Sequence, residues 1–151
     1  PQRDNIKYSI LTNGLMFREF YNTVPHVINN LQELGVSIDG ASKETYEKLR
    51  LGGRWEKILE GLECMTELKK KYNFRFSLHM VVQQENWHEV ESMLELGRTY
   101  NVDRIYFNKI EDWNTGIDFE SQTFTELEEF KKSIRRVSTD PIVWNNVVTL
   151  T

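Results

Sequence analysis

A single thiol, Cys64, in a chain of 151 residues excludes an internal disulfide and any zinc or cluster site assembled from several thiolates of this chain. No apolar run approaches the roughly 20 residues that a bilayer span requires, and no charged-then-apolar leader opens the sequence, so the expected location is cytoplasmic. A basic stripe is missing too. Lys and Arg number 19 against 23 Asp and Glu, a formal net charge of -4 with both signs interspersed, so nucleic acid is not an expected partner and neither is a membrane. No strand leads into GxGxxG and no Walker-type loop is present, which disfavours a dinucleotide- or nucleotide-binding α/β enzyme. The histidines His26, His79 and His88 share no metal spacing and read as structural or exposed, and no metal ligands are expected.

What is present is an ordinary globular composition, 39% hydrophobic and 12% aromatic, with length enough for one core, so residues 1–151 read as a single domain. Residues 6–11 are rich in strand formers and stop at Thr12-Asn13-Gly14, where Asn and Gly tolerate positive φ. Over residues 17–34 the apolar positions follow helical spacing, and Pro25 is expected to kink or split that helix. A second strand is expected over residues 36–39. Ser42 then reads as the N-cap of a helix with Glu44 in its first turn, and Gly52-Gly53 breaks the chain before a longer helix bearing Trp55, Ile58, Leu59, Leu62, Met65 and Leu68 on one face. Lys69, Lys70 and Lys71 suit its C-terminal end and read as solvated; Cys64 reads as a small buried hydrophobe.

The third strand is expected over residues 74–82, followed by a helix that Asn86 caps with Glu89 three residues on. Residues 104–110 give a fourth strand, Thr125 with Glu128 starts another helix ending near Arg136, and residues 141–148 suit a fifth strand or an extended tail. Strand and helix thus alternate, which predicts a mostly parallel sheet with right-handed crossovers. About four or five βα units fall short of a closed barrel, which takes roughly 250 residues in the eight-stranded case. The fold class is therefore α/β, a partial and open TIM-like βα barrel, with sheet edges that a larger protein or a homo-oligomer would cover.

One stretch organises the rest: Val36-Ser37-Ile38-Asp39-Gly40 running into Thr45-Tyr46-Glu47-Lys48-Leu49-Arg50, then Gly52-Gly53 before the long helix. Together with Thr12-Asn13-Gly14 this order of motifs resembles the middle of a radical S-adenosylmethionine enzyme, in the branch that carries a SPASM-type C-terminal cluster domain. The likeness spans roughly residues 5–112. It implies that Thr12 and Asn13 sit at a strand end facing cofactor or substrate. Ser37 and Asp39 lie at the next strand end, with the Ser37 hydroxyl meeting S-adenosylmethionine. Arg50 would pair with its methionyl carboxylate, a role that suits a guanidinium. Val82, the turn over residues 83–86, Asn108 and Lys109 match strand ends that flank the adenine. From the residues alone, Ser37 and Asp39 equally suit an Asx-type turn, and Arg50 a solvated helix position.

The parent would use S-adenosylmethionine and a 4Fe-4S cluster for reductive cleavage and hydrogen abstraction, with a peptide or protein among its expected partners. The CxxxCxxC loop that holds such a cluster, the Gly-Gly-Glu-type segment and the C-terminal cysteines have no counterpart in this sequence. The chain accordingly reads as the C-terminal portion of the partial barrel, inactive by itself. Its entry at Pro1 almost directly into an interior strand suggests that more precedes it. A binding or scaffold module without a cluster, joining copies through its open edges, is the reading from a different class. Trp113 is either a substrate contact at the barrel mouth or a packed loop anchor.

Overall fold

A computed structural model describes residues 6–109 and 128–144. Five parallel strands lie in sequence order, β1 (Tyr8–Thr12), β2 (Leu31–Ser37), β3 (Arg75–Val82), β4 (Arg104–Lys109) and the two-residue β5 (Val143–Trp144). Between them run α1 (Phe17–Thr23), α2 (Lys43–Leu49), α3 (Trp55–Lys69), α4 (Val90–Thr99) and α5 (Glu128–Ser138), with one-turn 3-10 segments at Pro25–Ile28 and Trp87–Glu89. The expected α/β partial barrel is what forms. The tail strand is confined to Val143–Trp144 within the described residues; Thr125, Trp113 and Ile110 lie outside them.

Strand alternation sorts the side chains cleanly. Leu34 and Val36 of β2, Phe76, Leu78, Met80 and Val82 of β3, and Ile105 and Phe107 of β4 are all 0% exposed. They meet Ile58, Leu62 and Met65 of α3, Val90 and Met93 of α4, and Phe130 and Ile134 of α5 in one core. Each such side chain contributes about 1.5–3 kcal/mol by leaving water. The opposite parity, Glu33, Gly35 and Ser37, then Ser77, His79 and Val81, then Arg104, Tyr106 and Asn108, forms the other face of the sheet, which carries the polar groups.

The expected helix over residues 17–34 does not form as one element. Pro25 ends it, α1 stops at Thr23, and a 3-10 turn carries the chain to β2, which begins five residues earlier than expected and ends at Ser37, so Asp39 stands beyond the ladder. The misleading signal has a physical source. The β1–β2 register slips between Tyr8 and Ser9, which pair with Leu31 and Glu33, so Gln32 is skipped. That irregularity buries Leu31 and Leu34 on one face at a three-residue spacing, which mimics helix. Asn86 stands at the N-cap position as expected, but of a 3-10 turn and not directly of α4, and its side chain makes no cap bond there. Lys69 is not solvated. Its ammonium bonds the Asn101 carbonyl and pairs with Asp103 at 2.6 Å.

Two glycines set the α3 contact. Gly14, at φ +75°, turns the chain after β1, and a methyl group on Gly61 of α3 would stand 2.4 Å from the Gly14 carbonyl oxygen. The helix therefore packs directly onto the turn at the end of β1.

Candidate functional site

Just past the carboxyl end of β2, Asp39 ties together the end of β3, the turn after it and the end of α2. One of its carboxylate oxygens accepts the Val81 N–H at 2.9 Å, tying the end of β2 to that of β3, and the other pairs with the Arg50 guanidinium at 2.8 Å. Its backbone carbonyl accepts from the Asn86 amide at 2.9 Å. Asn86, fully buried, also donates to the Val81 carbonyl and accepts from the Gln83 N–H, each at 2.8 Å. Every polar atom of that amide is matched, which fixes the turn after β3 against the loop after β2.

The loop after Asp39 closes on glycine for lack of room: a Cβ on Gly40 would lie 2.5 Å from the Tyr46 nitrogen. Ser42 then caps α2 as expected, its Oγ accepting the Thr45 N–H at 3.3 Å. What the sequence does not disclose is that Glu89, arriving from the far side of β3, completes the cap. Its carboxylate accepts the Ala41 N–H at 2.6 Å, the Ser42 hydroxyl at 2.5 Å and the Thr45 hydroxyl at 2.7 Å. Burial pushes the Glu89 carboxyl up, but those three hydrogen bonds outweigh it and hold the group below the usual carboxylate range. A carboxylate is the fitting acceptor at a helix start, where N–H groups converge.

Arg50, the C-cap residue of α2, is brought onto Asp39 by this frame. Its Nε–H is buried with no partner, a donor left over at a cost of about 1–3 kcal/mol. Ser37 ends β2 opposite His79, half-buried, its hydroxyl making no hydrogen bond among the described residues. Asn108, half-buried at the end of β4, pairs in register with Val81, and Lys109 beyond it is exposed. Ser37, Asp39, Arg50 and Asn108 are therefore brought to one end of the sheet.

The other expected positions serve differently. The Thr12 hydroxyl accepts the Gly14 N–H at 3.1 Å and the Asn13 side chain accepts the Leu15 N–H at 3.3 Å, so both shape the turn after β1. They also line a cleft of about 240 Å³ with Ile10, Leu11, Met16 and Phe20. Val82 points its side chain into the core at 0% exposure, so only its backbone can face a ligand. Cys64 is buried on α3, and burial pushes its thiol up, away from reactivity.

Comparison with known proteins accords with this fold. Over 99 residues the chain is 29% identical to the AdoMet-dependent heme synthase of Methanosarcina barkeri, covering 62% of this chain and 26% of that protein. It is 25% identical over 136 residues to a probable GTP 3',8-cyclase of Saccharolobus islandicus, covering 85% of this chain and 42% of that protein. In fold it is similar to SuiB of Streptococcus suis, crystallised with S-adenosylmethionine, at a TM-score of 0.60 and 11% identity over 88% of this chain and 29% of that one. SuiB bound to its precursor peptide SuiA gives a TM-score of 0.67 at 10% identity over 96% of this chain and 34% of that one. The chain thus spans between about a quarter and two fifths of the lengths of these relatives. Residues 2–97 match the Radical SAM superfamily, and the chain belongs to that family.

Proposed function

We propose that this chain is one domain of a longer radical enzyme of the SPASM-type branch and forms the part of its barrel that grips S-adenosylmethionine. The observation that carries this is the Asp39–Arg50 pair, two residues past the half-buried Ser37 strand end, in which the guanidinium keeps a buried Nε–H without a partner. Asp39 holds the guanidinium in place through one oxygen while its other oxygen is locked by the Val81 N–H. Arg50 is thereby preoriented toward a carboxylate, and Ser37 offers a hydroxyl at the neighbouring strand end. Asn108 and the backbone at Val82 extend the same rim toward the adenine, with Thr12 and Asn13 holding the β1 turn beside it. When bound beside a reduced iron–sulfur cluster, S-adenosylmethionine supplies hydrogen abstraction. This chain's donor set does not fit that cluster, since its one thiol, Cys64, is buried on α3, so the cluster ligands belong to another part of the enzyme and the chain alone is inactive. The precursor peptide held by SuiB supports a peptide as substrate.

Calorimetric titration of the full-length protein with S-adenosylmethionine tests the reading. Arg50→Ala is expected to weaken binding about tenfold to a hundredfold, as loss of a charge-assisted hydrogen bond does. Ser37→Ala should weaken it by a smaller factor. Identical heats for the wild type and both variants would overturn the assignment.

A further inference from the structure

The polar face of the sheet is layered by register. Ser37 pairs with His79, His79 with Tyr106 and Tyr106 with Trp144, so these four residues form one row that starts at the S-adenosylmethionine rim and runs around the wall. Three of them present rings. His79 and Tyr106 stack, with centroids 4.5 Å apart and planes 18° from parallel. The His79 ring is seated because β2 offers no side chain beneath it: a Cβ on Gly35 would lie 2.9 Å from its Nε2. Trp144, 49% exposed, carries the Arg104 guanidinium on its face, 3.6 Å from the ring centroid.

Among the described residues of this face, Arg104 is a cation with no carboxylate at ion-pair distance, the nearest being Glu33, which accepts the Tyr106 hydroxyl at 3.5 Å. Arg75 is matched by Glu33 at 3.0 Å. Asp103, next to Arg104 in sequence, is spent on Lys69 and on the Phe76 N–H. Arg104, half-buried, has no carboxylate partner among the described residues; its one hydrogen bond is a long contact of 3.4 Å to the Tyr106 hydroxyl. A guanidinium has five N–H donors in one plane, so most of its donors remain available, at a place where partial burial makes an unmatched charge costly.

We infer that the Tyr106–Trp144 wall with Arg104 is a recognition site for a planar group bearing a carboxylate, the substrate feature brought opposite the S-adenosylmethionine rim. The planar portion lies against the ring surface that His79 and Arg104 leave open, and Arg104, held flat by Trp144, takes the carboxylate through paired N–H donors. This rests on the proposed function for its meaning as a substrate site, but the binding it asserts stands apart from S-adenosylmethionine binding.

The test uses the full-length protein and 2-naphthoate, with 2-naphthamide and 2-naphthylmethylammonium as controls of the same shape, read by ligand-detected NMR and calorimetry. An N-acetylated Trp-Glu amide is the peptide arm, which tells a peptide source of the carboxylate from a free one. Naphthoate is expected to bind at least tenfold more tightly than the amide and the ammonium. Arg104→Gln should weaken naphthoate about tenfold to a hundredfold without changing S-adenosylmethionine affinity, and Trp144→Leu should weaken all three ring probes alike. Tyr106→Phe, which keeps the ring, should leave naphthoate within about twofold. Equal binding of naphthoate and naphthamide by the wild type would overturn the inference even if Arg104→Gln failed to fold, as would a folded Arg104→Gln that binds naphthoate normally. If S-adenosylmethionine binding ignores Ser37 and Arg50 while naphthoate still requires Arg104, the proposed function fails and this site remains.

Discussion

Glu89→Ala should unsettle the site without touching any ligand. The Glu89 carboxylate receives three donors from the start of α2, and truncation leaves the buried Thr45 hydroxyl and the Ala41 N–H without an acceptor. At about 1 kcal/mol for each lost hydrogen bond the cost comes to about 3 kcal/mol, a large share of the roughly 5–15 kcal/mol by which a domain is folded. In a domain of this size that lowers the melting temperature by about 6–12 °C. The pH dependence carries the sign. Hydrogen bonding holds the Glu89 carboxyl below its ordinary 4.5, so its contribution is fully present above that value and is lost as pH falls through the depressed folded value. Urea unfolding of wild type and variant at pH 7 and at steps down toward pH 3 should show a gap that is constant above about pH 4.5 and then narrows. A variant melting within 1 °C of the wild type, or a gap that stays constant at low pH, would refute the argument that this carboxylate is the cap of α2.

Most of the architecture was legible because its cues are local. Alternation at Phe76, Leu78, Met80 and Val82 and the Ser42 cap depend only on near neighbours in sequence, and the structure contains both. The failures share one cause, a partner distant in sequence. The Asn86 and Glu89 spacing fits a capping box, yet Asn86 bonds the Asp39 carbonyl 47 residues away and Glu89 caps a helix 44 to 48 residues away. Leu31 and Leu34 fit a helix because the skipped Gln32 is a property of the pairing with β1, which a single strand does not carry. Arg50 and Asp39 were each singled out as ligand contacts, and only the fold shows that they contact each other. The row from Ser37 to Trp144 is the plainest case: four residues on four strands, in one register, with nothing in their spacing along the chain to connect them.

Two further substitutions probe the frame. Gly40→Ala places a methyl carbon 2.5 Å from the Tyr46 nitrogen, a backbone clash with no flexible end to yield, and should cost about 1–3 kcal/mol in urea unfolding; a cost below 0.5 kcal/mol would mean that the loop after Asp39 is free to move. His79→Gln addresses the wall. Burial pushes the His79 imidazole below its ordinary 6.5, with Glu33 opposing, so the folded state resists protonation that the unfolded chain accepts. Stability must then fall as pH drops below 6.5 toward the depressed value, by no more than about 1.4 kcal/mol per pH unit for one proton. Gln keeps a polar group near the Ser77 hydroxyl, which lies 3.1 Å from the His79 ring, but binds no proton, so the wild-type slope between pH 6.5 and 5 should exceed that of His79→Gln. Equal slopes would place the imidazole in water, and with it would go the packing of His79 over Gly35 on which the ring wall depends.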